Sequence, residues 1–292
     1  MSDQIYLPLP NPLPLTGEGA NESLREIYAD ELRRAALHWL TVTDPLQKVA
    51  GVQTLAKNWR AGQIQLDTLA VLESEKPIPG IPDKPELVPP RLVKHRSMVT
   101  LEGRAILIHA LVHIEFTAIN LALDAIWRFA GMPTDYYTDW LQIADEEALH
   151  FSLLSGHLKT QGHEYGDFPG HASLWEMADK TRFDVLARMA LVPRTMEARG
   201  LDVVPSLRDK LAQAGDSAAA AIMEIILRDE IGHVAIGNRW YGYLCEIRGL
   251  EPVATYARLA AEHAAPVLRG PFNLIARRAA GFSEQELASL AR

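Results

Sequence analysis

The chain has 292 residues, 48% of them hydrophobic, which is enough to bury a sizeable core in one large domain or two small ones. A formal charge of −8 excludes a global basic field that would recruit nucleic acid or an anionic membrane, and leaves only a local basic patch open. The single cysteine, Cys245, excludes an internal disulfide and any metal site built from several thiolates.

Residues 1–22 are rich in Pro and Gly and read as an extended arm. They lack a basic stretch followed by an apolar one, so the expectation is a cytoplasmic protein without a secretory signal. Residues 23–99 read as N-terminal helices plus an excursion. A helix is expected over Ser23–Leu40, with Leu24, Ile27, Tyr28, Leu32, Ala35, Ala36 and Trp39 on one side. A second is expected over Pro45–Arg60, with Asp44 as N-cap and Pro45 in the first turn. Six prolines between 77 and 92 forbid regular helix there.

Residues 100–248 read as the core. Four long helices are expected, from about Thr100 to Ala130, Thr134 to Thr160, Leu174 to Arg199 and Asp216 to Arg248. Gly131-Met132-Pro133 separates the first two, and a Gly/Pro crossover, 162–170, leads to the third. Pro193 stresses the third helix. Gly200 and Pro205 are expected to end it, with a short helix over Ser206–Ala214. Residues 249–292 read as short C-terminal helices. No alternating strand pattern appears, so the fold class is all-α. The apolar run Ala105–Trp127 is broken by His109, His113, Glu115, Asn120 and Asp124, which suits a buried helix around a polar site better than a membrane span.

One spacing occurs twice. Glu147-Ala-Leu-His150 and Glu230-Ile-Gly-His233 are both Glu-x-x-His, and Glu115 and Glu197 precede them by 32 and 33 residues. This is the ligand order of a helical bundle that holds two metal ions, with Glu115, Glu147, His150, Glu197, Glu230 and His233 as ligands. Three of the glutamates sit in apolar stripes at helical spacing: Glu115 among Ile108, Val112 and Ile119, Glu147 among Trp140, Ile143 and Phe151, and Glu230 among Met223, Ile226 and Val234. A carboxylate buried there must protonate, pair or bind a cation. Glu197 lies on a mixed face beside Arg194 and Arg199, so its place rests on the repeated spacing. A hairpin bent at Gly131 would put Glu115 and Glu147 at one level, each roughly 24 Å from the turn.

Four glutamates balance two divalent cations, and mixed carboxylate and imidazole donors suit iron or manganese, including a mixed pair. Glu146 and Asp229, each directly before a motif glutamate, are expected to accept hydrogen bonds from the histidine of the opposite motif. Other readings are milder. His109 and His113, at i and i+4, suit a core pair better than zinc. Tyr136, Tyr137, Trp140, Tyr165 and Trp175 read as packing, and Lys84–Arg96, Arg269, Arg277 and Arg278 as solvated basic residues.

The segments 145–151 (Asp-Glu-Glu-Ala-Leu-His-Phe), 196–202 (Met-Glu-Ala-Arg-Gly-Leu-Asp) and 228–234 (Arg-Asp-Glu-Ile-Gly-His-Val) resemble a bacterial ferritin-like family catalogued as domain of unknown function 455. The resemblance spans roughly residues 20–285. It implies a ferritin-like four-helix bundle with added N- and C-terminal helices and a di-iron carboxylate site on the same six residues. The family is distantly similar to the di-iron tRNA hydroxylase acting on isopentenylated adenosine, although the N-terminal extension and Pro-rich excursion depart from that enzyme. The expected function is O2-dependent oxidation of a small organic substrate or modified nucleoside, with electrons from an external donor and no membrane partner. The rivals are iron storage or ferroxidation, a manganese site that disproportionates peroxide, and a metal-free helical interaction protein. An RNA-modifying role requires the basic segments to converge in the fold.

Overall fold

The computed structural model describes residues 31–93 and 97–290. The arm over 1–22, the first part of the Ser23–Leu40 helix and residues 94–96 of the basic run lie outside the described residues. Those described are all-helical, with one isolated bridge between Leu87 and Gly170 in place of a sheet.

Helix α1 (Leu32–Thr41) starts at Glu31, whose carboxylate accepts from the amides of Arg33 and Arg34. Helix α2 (Pro45–Arg60) starts at Asp44, whose side chain accepts from the Gln47 amide. The excursion that follows holds a 3₁₀ turn (Pro90–Leu92). Its Val88 amide donates to the Gly170 carbonyl, and Gly170 returns the bond to Glu86, which pins it to the crossover loop.

Helix α3 (Leu101–Arg128) and helix α4 (Thr134–Thr160) form the most extensive helix pairing among the described residues. Gly131 makes the turn with φ of 75°, a conformation that a side chain would strain. Helix α3 is long and apolar enough to cross a membrane by length and composition, but 78% of its most apolar window is buried inside the fold. Its last carbonyls, Ile126 and Trp127, accept from the buried guanidinium of Arg33, which ties α1 to the end of α3. Lys48 of α2 does a similar job further down. Its ammonium is fully buried against Asn120 and the Gly80 carbonyl, and burial pulls its pKa down to about 7.

The third long helix of the sequence reading is divided. Helix α5 (Ser173–Lys180) and helix α6 (Val185–Leu191) are separate, and a π-turn (Val192–Glu197) follows. Asp184 caps α6 by accepting from the Leu186 amide. Buried Arg188 donates to the Ala178 carbonyl and the Thr181 hydroxyl, so the carbonyl end of α5 has its donors without continuing as helix.

Helix α7 (Ala198–Gln213) runs on through Gly200 and Pro205, where the sequence suggested an end. Proline removes the amide that would bond the Leu201 carbonyl, and the side-chain amide of Asn273 donates to that carbonyl instead. Helix α8 (Ser217–Ile247) is the longest. Helices α9 (Pro252–Glu262), α10 (Leu274–Ala279) and α11 (Glu284–Leu290) close the chain. The pair α3–α4 meets the pair α7–α8 through α4 and α8, which carry the two Glu-x-x-His motifs.

Candidate metal centre

Glu115 comes from α3, Glu147 and His150 from α4, and Glu230 and His233 from α8. All five are buried. One oxygen from each of Glu115, Glu147 and Glu230 and one ring nitrogen of His150 lie within 4.8 Å of one another, so this buried group could hold a metal ion.

Glu147 occupies the middle. Its Oε2 is 3.3 Å from Nδ1 of His150, and its Oε1 is 3.0 Å from Nδ1 of His233. Glu115 Oε2 lies 3.6 Å from the first imidazole, and Glu230 Oε2 lies 3.9 Å from the second. The two rings are 5.8 Å apart between centroids.

The outer nitrogens face carboxylates across the helix pair. His150 Nε2 is 3.1 Å from Asp229 Oδ2, and His233 Nε2 is 2.7 Å from Glu146 Oε2. Each residue before a motif glutamate therefore meets the histidine of the opposite motif. An Nε2 proton donated outward fixes the tautomer and leaves the Nδ1 lone pair facing the central carboxylates, the orientation a metal ligand needs.

With protons as the only cations, the group is badly balanced. Burial, then the charge of Glu147, pushes Glu115 up to about 8. Burial and the same neighbour raise Glu230 well above the carboxylate range and Glu197 to about 7. Burial would raise Glu147 as well, but the two imidazoles outweigh it and hold this carboxyl below its ordinary value. Burial disfavours charged imidazoles, yet hydrogen bonds from His150 to Asp229 and Glu147, with the Glu115 carboxylate close by, raise its pKa well above the usual range. For His233 the charge of Glu147 and the bond to Glu146 have the same effect. Asp229 is pulled down to about 2, its hydrogen bonds to His150 and Arg228 outweighing its burial.

Several buried polar atoms have no hydrogen-bond partner: Glu115 Oε2, Glu197 Oε2, Glu230 Oε2 and His233 Nδ1. Unsatisfied acceptors at this density are costly unless a cation joins them. The donor set could therefore hold a metal ion. Glu115, His150 and Glu147 make one group, and Glu147, His233 and Glu230 make the other, with Glu197 beside it.

Glu197 differs from the other five. Like His233 it lies outside the tight group of four, but it retains some exposure as a residue and comes from the π-turn rather than a regular helix. Three residues of that turn are anchored. Pro193 packs into Gly237 of α8, where an added Cβ would stand 2.5 Å from the proline ring. The Arg194 guanidinium pairs with Glu286 and lies 4.4 Å from the Tyr241 ring and 5.1 Å from that of Phe282. Thr195 donates to the Ala190 carbonyl and shares a hydrogen bond with the Tyr256 hydroxyl. A π-turn shifts the register of the helix by one residue, and here that shift sets the angle at which Glu197 leaves it.

Other singled-out residues have structural duties. His109 Nε2 accepts from the Gly166 amide, while His113 meets the Tyr165 hydroxyl and the His171 carbonyl, so this pair holds the crossover loop to α3. Tyr136, Tyr137 and Trp140 are buried core. Arg277 is buried against Asp202, and Arg278 pairs with Glu284. Sequence reasoning missed Asp124 and Arg188, a buried ion pair that joins α3 to α6 close to the π-turn. Asp124 in an otherwise apolar helical run was its only signal.

Residues 41–288 match a family model described as "Protein of unknown function (DUF455)". The chain belongs to the DUF455 family. A relative from Haemophilus influenzae, named "Uncharacterized protein", is 46% identical over 257 residues, covering 85% of this chain and 89% of its own. No solved structure matches the chain. The DUF455 match takes in all six Glu and His positions of the centre, the π-turn and the C-terminal helices.

Proposed function

We propose that this chain is a dinuclear metalloprotein of the ferritin-like kind, with two iron ions at the centre, and that it uses O2 to oxidise an organic substrate. The observation that carries the reading is the placement of Glu147, one carboxylate oxygen toward each of two imidazoles whose far nitrogens are both fixed by carboxylates. A carboxylate so placed is suited to bridge two cations. The four glutamates Glu115, Glu147, Glu197 and Glu230 neutralise two divalent charges in an apolar surround. Manganese, alone or mixed with iron, suits the same donors.

Two Fe(II) ions held this way supply reducing equivalents to O2 and a Lewis-acidic site for its reduction. The remaining work falls to the chain. His150 and His233 are held in one tautomer by Asp229 and Glu146. The aliphatic and aromatic walls around Glu115 and Glu147 exclude water. The π-turn presents Glu197, whose carboxylate leaves an irregular segment rather than a regular helix and is the one best placed to change position when charge at the centre changes. The reading includes an external electron donor, a small organic substrate or modified nucleoside, and a reducing cytoplasmic setting, which agrees with the lone buried thiol of Cys245. The proposed kinship is to ferritin-like enzymes, with the di-iron tRNA hydroxylase as a distant analogue rather than a guide to substrate.

Anaerobic loading followed by an O2 pulse tests this. The expected result is two Fe(II) bound per chain and oxygen uptake that continues only while an external reductant is supplied. Uptake that continues with excess Fe(II) alone, with iron accumulating as a mineral in a large assembly, would replace this reading with iron storage.

A further inference from the structure

A second site lies away from the carboxylate centre, on the outer face of α7 and against the segment 268–273 that leads into α10. Two adjoining cavities of about 460 and 240 Å³ share Asp202, Ser206, Lys210, Pro271 and Phe272 in their walls. Arg199 and Arg269 line the smaller of the two, and Lys210 lines both.

Its electrostatics are unusual for an acidic chain. The two lining acids are already neutralised by arginines outside the walls. Asp202 receives the buried fork of Arg277 at 2.7 and 3.0 Å, together with the Asn273 amide, and Asp209 receives Arg208. The lining cations are not neutralised. Arg199, Lys210 and Arg269 are exposed and have no ion pair or side-chain hydrogen bond among the described residues. Most other arginines of the described chain are paired, including Arg33, Arg60, Arg128, Arg188, Arg239 and Arg258, and Arg199 and Arg269 share the unpaired state with Arg34 and Arg91. The rest of the lining includes an apolar part. It consists of Leu207, Leu268, Pro271 and the half-buried ring of Phe272, which is braced by the Arg277 guanidinium 5.3 Å away.

We propose that this cleft binds a small soluble organic phosphate, with its anionic group among Arg199, Lys210 and Arg269 and its planar or apolar body against Phe272. Three cations, two of them forked, match a phosphate monoester, and the Ser206 hydroxyl adds a neutral donor. The site does not depend on the metal reading, because none of its walls belongs to the six Glu and His residues.

Calorimetric titration of the full chain with AMP at low ionic strength tests it, with inorganic phosphate as a parallel probe. The expected result is saturable one-to-one binding of AMP at millimolar or lower concentration, tighter than that of phosphate. It should weaken roughly tenfold or more in R199Q/R269Q, since each substitution removes a charge-assisted hydrogen bond. Both positions are exposed, so the variant keeps its fold, which circular dichroism verifies. In F272A, AMP binding should weaken while phosphate binding stays the same. Absence of saturable binding, or equal affinity in wild type and R199Q/R269Q, would overturn the proposal. So would binding confined to phosphatidylcholine vesicles doped with phosphatidylglycerol, which would make the cleft a membrane contact instead.

Discussion

Glu147→Ala is expected to abolish tight binding of both metal ions while leaving the helices intact. This carboxylate lies within 3.3 Å of one imidazole nitrogen and 3.0 Å of the other, so its loss removes a donor from both halves of the centre. Alanine is a better helix former than glutamate, and the position faces Trp140, Ile143, Ala144 and Phe151 in a dry core. The metal-free variant should therefore unfold no earlier than metal-free wild type. Asp229→Ala provides the scale, because removing an outer partner of a ligating histidine costs about 10–100-fold in metal affinity. The loss in Glu147→Ala should exceed that. Metal analysis after anaerobic loading and gel filtration reads the difference. Wild-type stoichiometry in Glu147→Ala would remove this carboxylate from the centre.

Asp124→Ala should be the most destabilising single change outside the centre, at about 3–5 kcal/mol, because it leaves a buried charge without its partner. Asp124 is fully buried on α3 and receives both Arg128 and Arg188. Arg128 can turn to solvent when the carboxylate is gone. Arg188, 1% exposed, cannot, and its other donors are committed to Ala178 and Thr181 at the end of α5. The damage should pass along α6 to the π-turn, so metal affinity should fall together with stability. Urea unfolding of metal-free protein measures the first effect. A loss below about 1 kcal/mol would place this pair with ordinary surface salt bridges.

The all-helical class and most long elements were legible because they rest on local chemistry. Asp44 before Pro45 starts α2, Gly131 turns the chain between α3 and α4, and apolar periodicity around Glu115 and Glu147 marks the buried faces. The repeated Glu-x-x-His spacing gave the residues that converge, and the carboxylates preceding each motif gave the outer partners of the imidazoles. The region 174–213 was less legible for a physical reason. What divides the expected third helix is Arg188 bonding the Ala178 carbonyl of another helix, and what carries α7 through Pro205 is the side chain of Asn273, 72 positions beyond the Leu201 carbonyl it bonds. The first contact spans only 10 positions but joins two separate helices, and the second is distant in sequence. The π-turn has the same character. Pro193 signals strain, but Gly237, Tyr241, Tyr256 and Glu286 decide how that strain is accommodated.

The arrangement at Glu147 is tested most directly by anomalous difference maps from crystals of Fe(II)-loaded protein, collected on both sides of the iron edge. The account predicts two iron peaks, one on each side of the Glu147 carboxylate, with His150 and His233 bound through Nδ1. A single peak, or none with Glu115, Glu147 and Glu230 satisfied by protons and water, would contradict it.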